Sequence, residues 1–358
     1  MNFDFADILL KVVEHKASDL HITSGAPPTV RVRGSLVPID GLPNLTPTDT
    51  REIIYAILSS SQRQALETHW QLDFAYSVPG VGRFRVNTFF QRGTLGAAFR
   101  LIPSETVPLE QLGLPAATHE FIKKPRGFVL VTGPTGSGKS TTLAGMISHI
   151  NATRRGHIVT VEDPIEFVHP YDHCVVTQRE IGRHSPTFAD ALRSVVRQDP
   201  DVVMVGEMRD RETISLALTA AETGVMVLGT LHTNGAVRCV DRIVNVFPSR
   251  KQDQVRTMLA DSLRLVVAQQ LVRKADHTGR LVAAEVLVNT SAVSSMIRQG
   301  NTHKLISAIQ SGQRSGMQSL DGVLMDLLRR EVITGDEAYE HAVERATFEP
   351  YVSQEAAA

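Results

Sequence analysis

The stretch Gly133-Pro134-Thr135-Gly136-Ser137-Gly138-Lys139-Ser140, followed by Thr141, decides how this chain folds. It satisfies the spacing G-x-x-x-x-G-K-[ST], and its flanks are the ones that spacing requires. An apolar run at 128–131 precedes it and reads as a strand. A helical pattern follows, with Leu143, Met146, Ile147 and Ile150 on one side. Glycines let successive backbone amides turn inward around phosphate oxygens, and the helix N-terminus adds partial positive charge. In such a loop Lys139 reaches the β- and γ-phosphates and Ser140 ligates Mg²⁺. A chance glycine-rich turn would lack the strand and helix. The candidate nucleotide-binding set is therefore Gly133, Pro134, Thr135, Gly136, Ser137, Gly138, Lys139, Ser140 and Thr141, with ATP and Mg²⁺ as cofactors.

Downstream, short apolar runs at 158–161, 202–205 and 225–228 alternate with several helical patterns. Parallel strands covered by helices on both sheet faces look like this, so the fold class is α/β. The run at 202–205 leads to Glu207, an acid placed to hold a Mg²⁺ water shell or to polarise the attacking water. Its blander role is to cap the turn into a helix at 211–223. Glu162, Asp163 and Glu166 follow the run at 158–161, at the strand end where α/β sheets place chemistry. A solvated turn broken by Pro164 is the alternative. His232, in 229–234, is placed to sense the γ-phosphate, although a lone histidine is more often structural. His169, His173 and Cys174 lie close in sequence, but without a second ligand pair they read as structural. From about residue 249 the pattern is mainly helical, with Val255, Met258, Leu259, Leu263, Val266 and Val267 predicting a helix over 252–274.

Upstream, residues 1–16 read as a helix. Segments 19–23, 29–33 and 36–39 read as short strands, 48–68 as a helix, and 72–78, 82–91 and 94–101 as strands again. This is a small α+β module. Pro103, Pro108, Pro115 and Pro125 then mark a stiff connection. The expected organisation is an N-terminal domain at 1–102, a linker at 103–125 and an ATPase domain at 126–358. Arg83, Arg85, Arg92 and Arg100 lie along the two strand-like runs of the first module. They are either solvated face charges or fingers that reach a phosphate on a neighbouring subunit. Arg193 and Arg197, on a helix at 187–198, carry the same two readings.

Composition narrows the function. Lys+Arg 37 against Asp+Glu 38 gives a net charge of -1, and no basic–aromatic stripe is present, which counts against a nucleic-acid coat or translocase. Two cysteines, Cys174 and Cys239, make no disulfide framework and fit a reducing compartment. The first 16 residues lack a secretory pattern, and no run of about 18 apolar residues occurs, since 213–231 is interrupted by Glu222 and 281–297 by Glu285, so a membrane span is not expected.

Taken together these segments resemble the type IV pilus retraction ATPases (PilT-like) of the secretion and pilus motor superfamily. The resemblance runs from Ala17-Ser18-Asp19-Leu20-His21-Ile22 to about Ala338. The loop at 133–141 is similar to that family's Walker A, and 158–167 to its aspartate box, with Glu162, Asp163 and Glu166 at the acidic positions. Residues 202–207 resemble its Walker B, and 229–234 its histidine box, which favours a functional His232. Asp241-Arg242-Ile243-Val244 with Phe247-Pro248, and Gly316-Met317-Gln318, also look like family segments. The resemblance implies a PAS-like N-terminal α+β domain and a RecA-like P-loop ATPase domain with a helical C-terminal part. It implies a homohexameric ring whose neighbouring subunits complete each ATP site. It further implies a cytoplasmic motor docked at the inner membrane, driving the pilus platform protein there and so, indirectly, the pilin fibre. Segment Ala292-Val293-Ser294-Ser295-Met296-Ile297-Arg298-Gln299 departs from the Ala-Ile-Arg-Asn-Leu-Ile-Arg-Glu common in retraction members, leaving main and accessory motors both open. The tetracysteine zinc insert of assembly and secretion relatives is absent, which favours the retraction branch. The competing function is a nucleotide-dependent scaffold or switch with little hydrolysis; the acid array around Glu207 favours the motor.

Overall fold

In the computed structural model, which describes residues 5–32, 34–102 and 106–353, capping residues decide where the first helices begin and end. Helix α1 (Phe5–Glu14) buries Ile8, Leu9 and Val12 on one face. Strands β1 (Asp19–Ile22), β2 (Thr29–Val32) and β3 (Ser35–Pro38) follow. The helix expected over 48–68 is two helices, α2 (Pro47–Ile57) and α3 (Ser60–His69). Each starts with a reciprocal capping box, Thr46 with Asp49 and Ser59 with Gln62, and Pro47 occupies the first turn of α2. Leu58 is extended between them, so the second cap restarts the helix where the first ends. The unit closes with β4 (Gln71–Val78), β5 (Gly82–Gln91) and β6 (Thr94–Ile102). Among the described residues these strands form one antiparallel sheet, ordered β3-β2-β1-β6-β5-β4. Its core includes Leu20, Ile22, Ile53, Ile54, Phe84, Val86 and Phe99.

This first unit comprises Met1–Glu105 together with the short excursion Pro164–Val168; the second comprises Thr106–Asp163 and His169–Ala358. Of the prolines read as a linker, Pro103 lies outside the described residues. The segment after it has its own structure: a 3-10 turn at Leu109–Gln111 and α4 (Ala116–Ile122), with Leu109, Leu112 and Ile122 buried in the second unit's core.

The second unit runs β7 (Gly127–Thr132), α5 (Lys139–Thr153), β8 (His157–Glu162), β9 (Val175–Glu180), α6 (Phe188–Val195), β10 (Val202–Val205), α7 (Arg211–Glu222), β11 (Met226–Leu231), α8 (Ala236–Asn245) and α9 (Ser249–Ser262). Then come β12 (Leu263–Arg273), β13 (Arg280–Val288), α10 (Ser291–Arg298), α11 (Leu305–Ser311), α12 (Leu320–Arg329) and α13 (Gly335–His341). Its sheet is ordered β13-β12-β7-β11-β10-β8-β9 among the described residues, parallel throughout except for the antiparallel edge strand β13. Every residue of β7, β10 and β11 is buried. Each fully buried valine or leucine there is worth roughly 1.5–3 kcal/mol, and this drives the apolar runs together.

The sequence pattern is overturned at one important place. The helix expected over 252–274 stops at Ser262, and 263–273 is a strand beside β7. Leu263 takes extended angles with no intervening turn, and β12 is buried along most of its length. A continuous apolar run satisfies helical spacing and buried-strand composition alike, so periodicity alone could not separate the two. Among the described residues no helix is long and apolar enough to cross a membrane.

Candidate active site

Because β7, β11 and β10 are adjacent and parallel, their C-terminal ends share one edge of the sheet. The glycine-rich loop leaves β7 at this edge and enters α5 at Lys139. Gly133, Gly136 and Gly138 all have left-handed backbone, with φ of +147°, +80° and +87°. At Gly133 the need is steric as well, since a Cβ would sit 2.2 Å from the carbonyl oxygen of Gln269. Pro134, Thr135 and Gly136 form the exposed crest, Ser137 and Lys139 are buried, and Ser140 and Thr141 are half-buried on the first turn of α5. The Lys139 ammonium folds back into the loop and donates to the carbonyls of Gly133 and Pro134, 2.9 Å each. Ser137 Oγ is buried and, among the described residues, has no hydrogen-bond partner.

Sequence reasoning missed the loop's brace. Gln269, on β12 and 1% exposed, donates from Nε2 to the Ser137 carbonyl at 2.7 Å and accepts from Thr142 Oγ1 at 2.9 Å. One amide thus pins both the loop and the first turn of α5. The signal was the polar pair Gln269-Gln270 inside an apolar run.

Glu207 stands just beyond β10. Its carboxylate accepts from Arg209, with Nη2 to Oε2 at 2.7 Å, and His232 Nε2 lies 3.1 Å from Oε1. Burial by itself would raise this carboxyl. The Arg209 hydrogen bond, then the charges of His232 and Arg209, outweigh burial and hold it below the ordinary glutamate value. Asp163, exposed, adds a second negative charge near the Arg209 guanidinium. Sequence reading did not single out Arg209, although it lies two residues from Glu207. The turns are tied to one another: Thr230 Oγ1 donates to the Gly206 carbonyl. Thr132 Oγ1 pairs with Thr233 Oγ1 at 2.8 Å and accepts from the Thr233 amide at 2.9 Å, fixing the residue after His232 against the end of β7.

The acidic segment is divided between the two units. Glu162 is buried at the end of β8, accepting from Thr160 Oγ1 at 2.6 Å and Gln178 Nε2 at 3.2 Å. Glu166 is exposed and groups with the first unit. In that unit Arg100 Nε donates to Asp19 Oδ1 at 2.9 Å, and Arg83 Nη1 to Ser77 Oγ at 3.2 Å. Arg85 is the cross-strand neighbour of Arg100, and Arg92 sits at φ +47° in the β5–β6 turn; both are exposed. In the second unit Arg193 pairs with Asp190 and Glu212, while Arg197 is exposed. His169 is buried and pushed down to about 4 by desolvation, whereas His173 is exposed and Cys174 buried.

The family model described as "Type II/IV secretion system protein" matches residues 4–337. The type IV pilus retraction ATPase PilT of Pseudomonas aeruginosa is 47% identical over 95% of this chain and 98% of its own. The type IV pilus ATPase PilU of the same organism is 41% identical over 95% of this chain and 88% of its own. A crystal structure of the pilus retraction motor PilT with bound ADP superposes with a TM-score of 0.91 at 43% identity, covering 98% of this chain and all of that one. The chain belongs to the type II/IV secretion system protein family and, within it, is a PilT/PilU-like ATPase.

Proposed function

We propose that this family member is the ATP-driven motor of type IV pilus retraction. The observation that carries the reading is the pairing, on one sheet edge, of a phosphate loop braced at Lys139 with an ionised carboxylate at Glu207. The likeness to the PilT and PilU ATPases supports it.

Residues 133–141 hold the triphosphate. Lys139 releases its two loop carbonyls to take phosphate oxygens, and the orphan Ser137 hydroxyl gains a partner in the same exchange. The hard oxygen donors here suit Mg²⁺, which Ser140 would hold directly and Glu207 through water. When bound, that ion neutralises charge on the phosphates. Glu207, kept ionised by Arg209, accepts the proton of the attacking water, and His232 beside it senses the γ-phosphate side. Glu162 and Asp163 add negative charge near the metal side. Glu166, with Arg83, Arg85, Arg92 and Arg100, belongs to the surfaces that meet neighbouring subunits. The division into a first unit and an ATPase unit, the latter taking in the segment from Thr106 onward, lets hydrolysis turn one body against the other. The working form is a cytoplasmic homohexamer on the inner-membrane platform protein, and its strokes withdraw pilins from the fibre.

The test is turnover measured with mass in solution. Wild type should hydrolyse ATP as a ring. Glu207→Gln should bind nucleotide yet turn over about 10²–10⁴-fold more slowly, the usual loss on removing a positioned base. Lys139→Ala should lose binding itself. Full activity in Glu207→Gln would remove Glu207 from the chemistry, negligible wild-type turnover would favour the switch, and a monomer under all nucleotide conditions would exclude the ring.

A further inference from the structure

A second cluster of metal-ligating side chains lies in the ATPase unit, on residues the proposed motor chemistry does not use. Glu110 comes from the 3-10 turn at Leu109–Gln111, His119 from α4 and His149 from α5. His149 Nδ1 is 3.2 Å from Glu110 Oε1, and His119 Nδ1 is 3.5 Å from the same oxygen. One donor atom from each of the three lies within 4.8 Å of the others. The imidazoles meet edge to face, with centroids 5.6 Å apart. His149 is ten residues beyond Lys139, so the cluster sits about 15 Å along α5 from the phosphate loop.

Two of the three donor–donor distances match the edge of a coordination sphere, and the third lies within 4.8 Å. A tetrahedral Zn²⁺ with bonds of about 2.0–2.1 Å has ligand–ligand edges of about 3.3 Å. The two edges to Glu110 Oε1, 3.2 and 3.5 Å, bracket that value. Two imidazole nitrogens and one carboxylate oxygen are also a borderline donor set, which favours zinc over the all-oxygen cations Mg²⁺ and Ca²⁺.

The backbones carrying the ligands are already fixed. Thr106 Oγ1 and Ser148 Oγ are 2.8 Å apart, and Leu109 and Leu112 are buried. Gly145 of α5 lies so close beneath this segment that a Cβ there would come within 2.9 Å of the Val107 carbonyl. An ion therefore finds three ligands from three elements held near their final places, which lowers the ordering cost of binding. We propose that Glu110, His119 and His149 bind a Zn²⁺ ion that clips the segment 106–122 onto the helix carrying the phosphate loop. Water fills the fourth position, as in other three-ligand zinc sites.

The test uses full-length protein stripped with a chelator and dialysed into Mg²⁺-containing buffer. Zn²⁺ is then titrated against a chromophoric competitor. Wild type should take up one zinc per chain and show a higher thermal midpoint with zinc than without. Glu110→Gln removes the ligand charge at an exposed position. His119→Ala removes one imidazole. Each should weaken zinc binding about tenfold or more and abolish the zinc-dependent rise in midpoint. Absence of stoichiometric uptake by wild type overturns the proposal and leaves a hydrogen-bonded trio. Wild-type affinity in either folded variant also overturns it, because the metal would then sit on other histidines of the 13 in the chain. Should His119→Ala not fold, Glu110→Gln alone decides.

Discussion

Replacing Gln269 with leucine tests whether the phosphate loop is built by its own glycines or braced from the next strand. The side chain is 1% exposed, so leucine keeps the volume and the burial. What it removes is a donor 2.7 Å from the Ser137 carbonyl and an acceptor 2.9 Å from Thr142 Oγ1. The two losses are unequal. The Thr142 hydroxyl can rotate to the Gly138 carbonyl one turn back, which already accepts from the Thr142 amide. The Ser137 carbonyl has no such recourse, and a buried acceptor left unpaired costs about 1–3 kcal/mol. If the loop relaxes to hydrate that carbonyl, nucleotide must re-form it on binding. The cost then appears as affinity, about 5- to 150-fold at 1.4 kcal/mol per tenfold. If the loop cannot relax, the same energy appears in the unfolding midpoint with affinity unchanged. A fluorescent-nucleotide titration run beside denaturant unfolding separates these outcomes. A leucine variant that matches wild type in both measurements would refute the bracing role.

Two further predictions follow from the carboxylates. In Arg209→Ala the main partner that holds Glu207 down is lost and burial pushes its carboxyl up. The group must be ionised to work, so the acid limb of the ATPase pH profile should move to higher pH; coincident limbs would show that Arg209 does not tune Glu207. Glu285, on β13, accepts from the Ala236 amide at 2.6 Å, yet burial raises its carboxyl above the ordinary value. Its folded-state pKa is raised, so its stabilising share is present at about pH 4 and is lost as pH rises through the folded value. Glu285→Gln keeps the acceptor without the charge, and its unfolding midpoint should gain on wild type between about pH 4 and pH 7; a gap that does not change with pH would contradict this.

The features legible in the sequence were those whose physics is local. The loop at 133–140 announces itself because phosphate binding dictates where glycine, lysine and serine must stand. Strands β7, β10 and β11 are legible because both their faces are covered, which writes an unbroken apolar run. The misread elements are those where a local signal fits two structures. Helix α9 passes into β12 between Ser262 and Leu263 with no glycine or proline between them, so Val266 and Val267 continued a helical stripe that had already ended.

What stayed hidden depends on partners far apart in the chain. Gln269 acts on Ser137 across 132 positions, and Glu110 meets His149 across 39. No motif spans such distances, and a glutamine in an apolar run signals only that something polar must face it. The physical rule is nevertheless usable in reverse. A buried amide is tolerated only when both its ends are satisfied, so Gln269 within the apolar run marks a strand that faces carbonyls and hydroxyls. In this unit the loop and first turn of α5 supply them. The β12 assignment and the bracing of the phosphate loop are therefore one inference: as a helix, residues 263–273 would leave that amide without the partners it has beside β7.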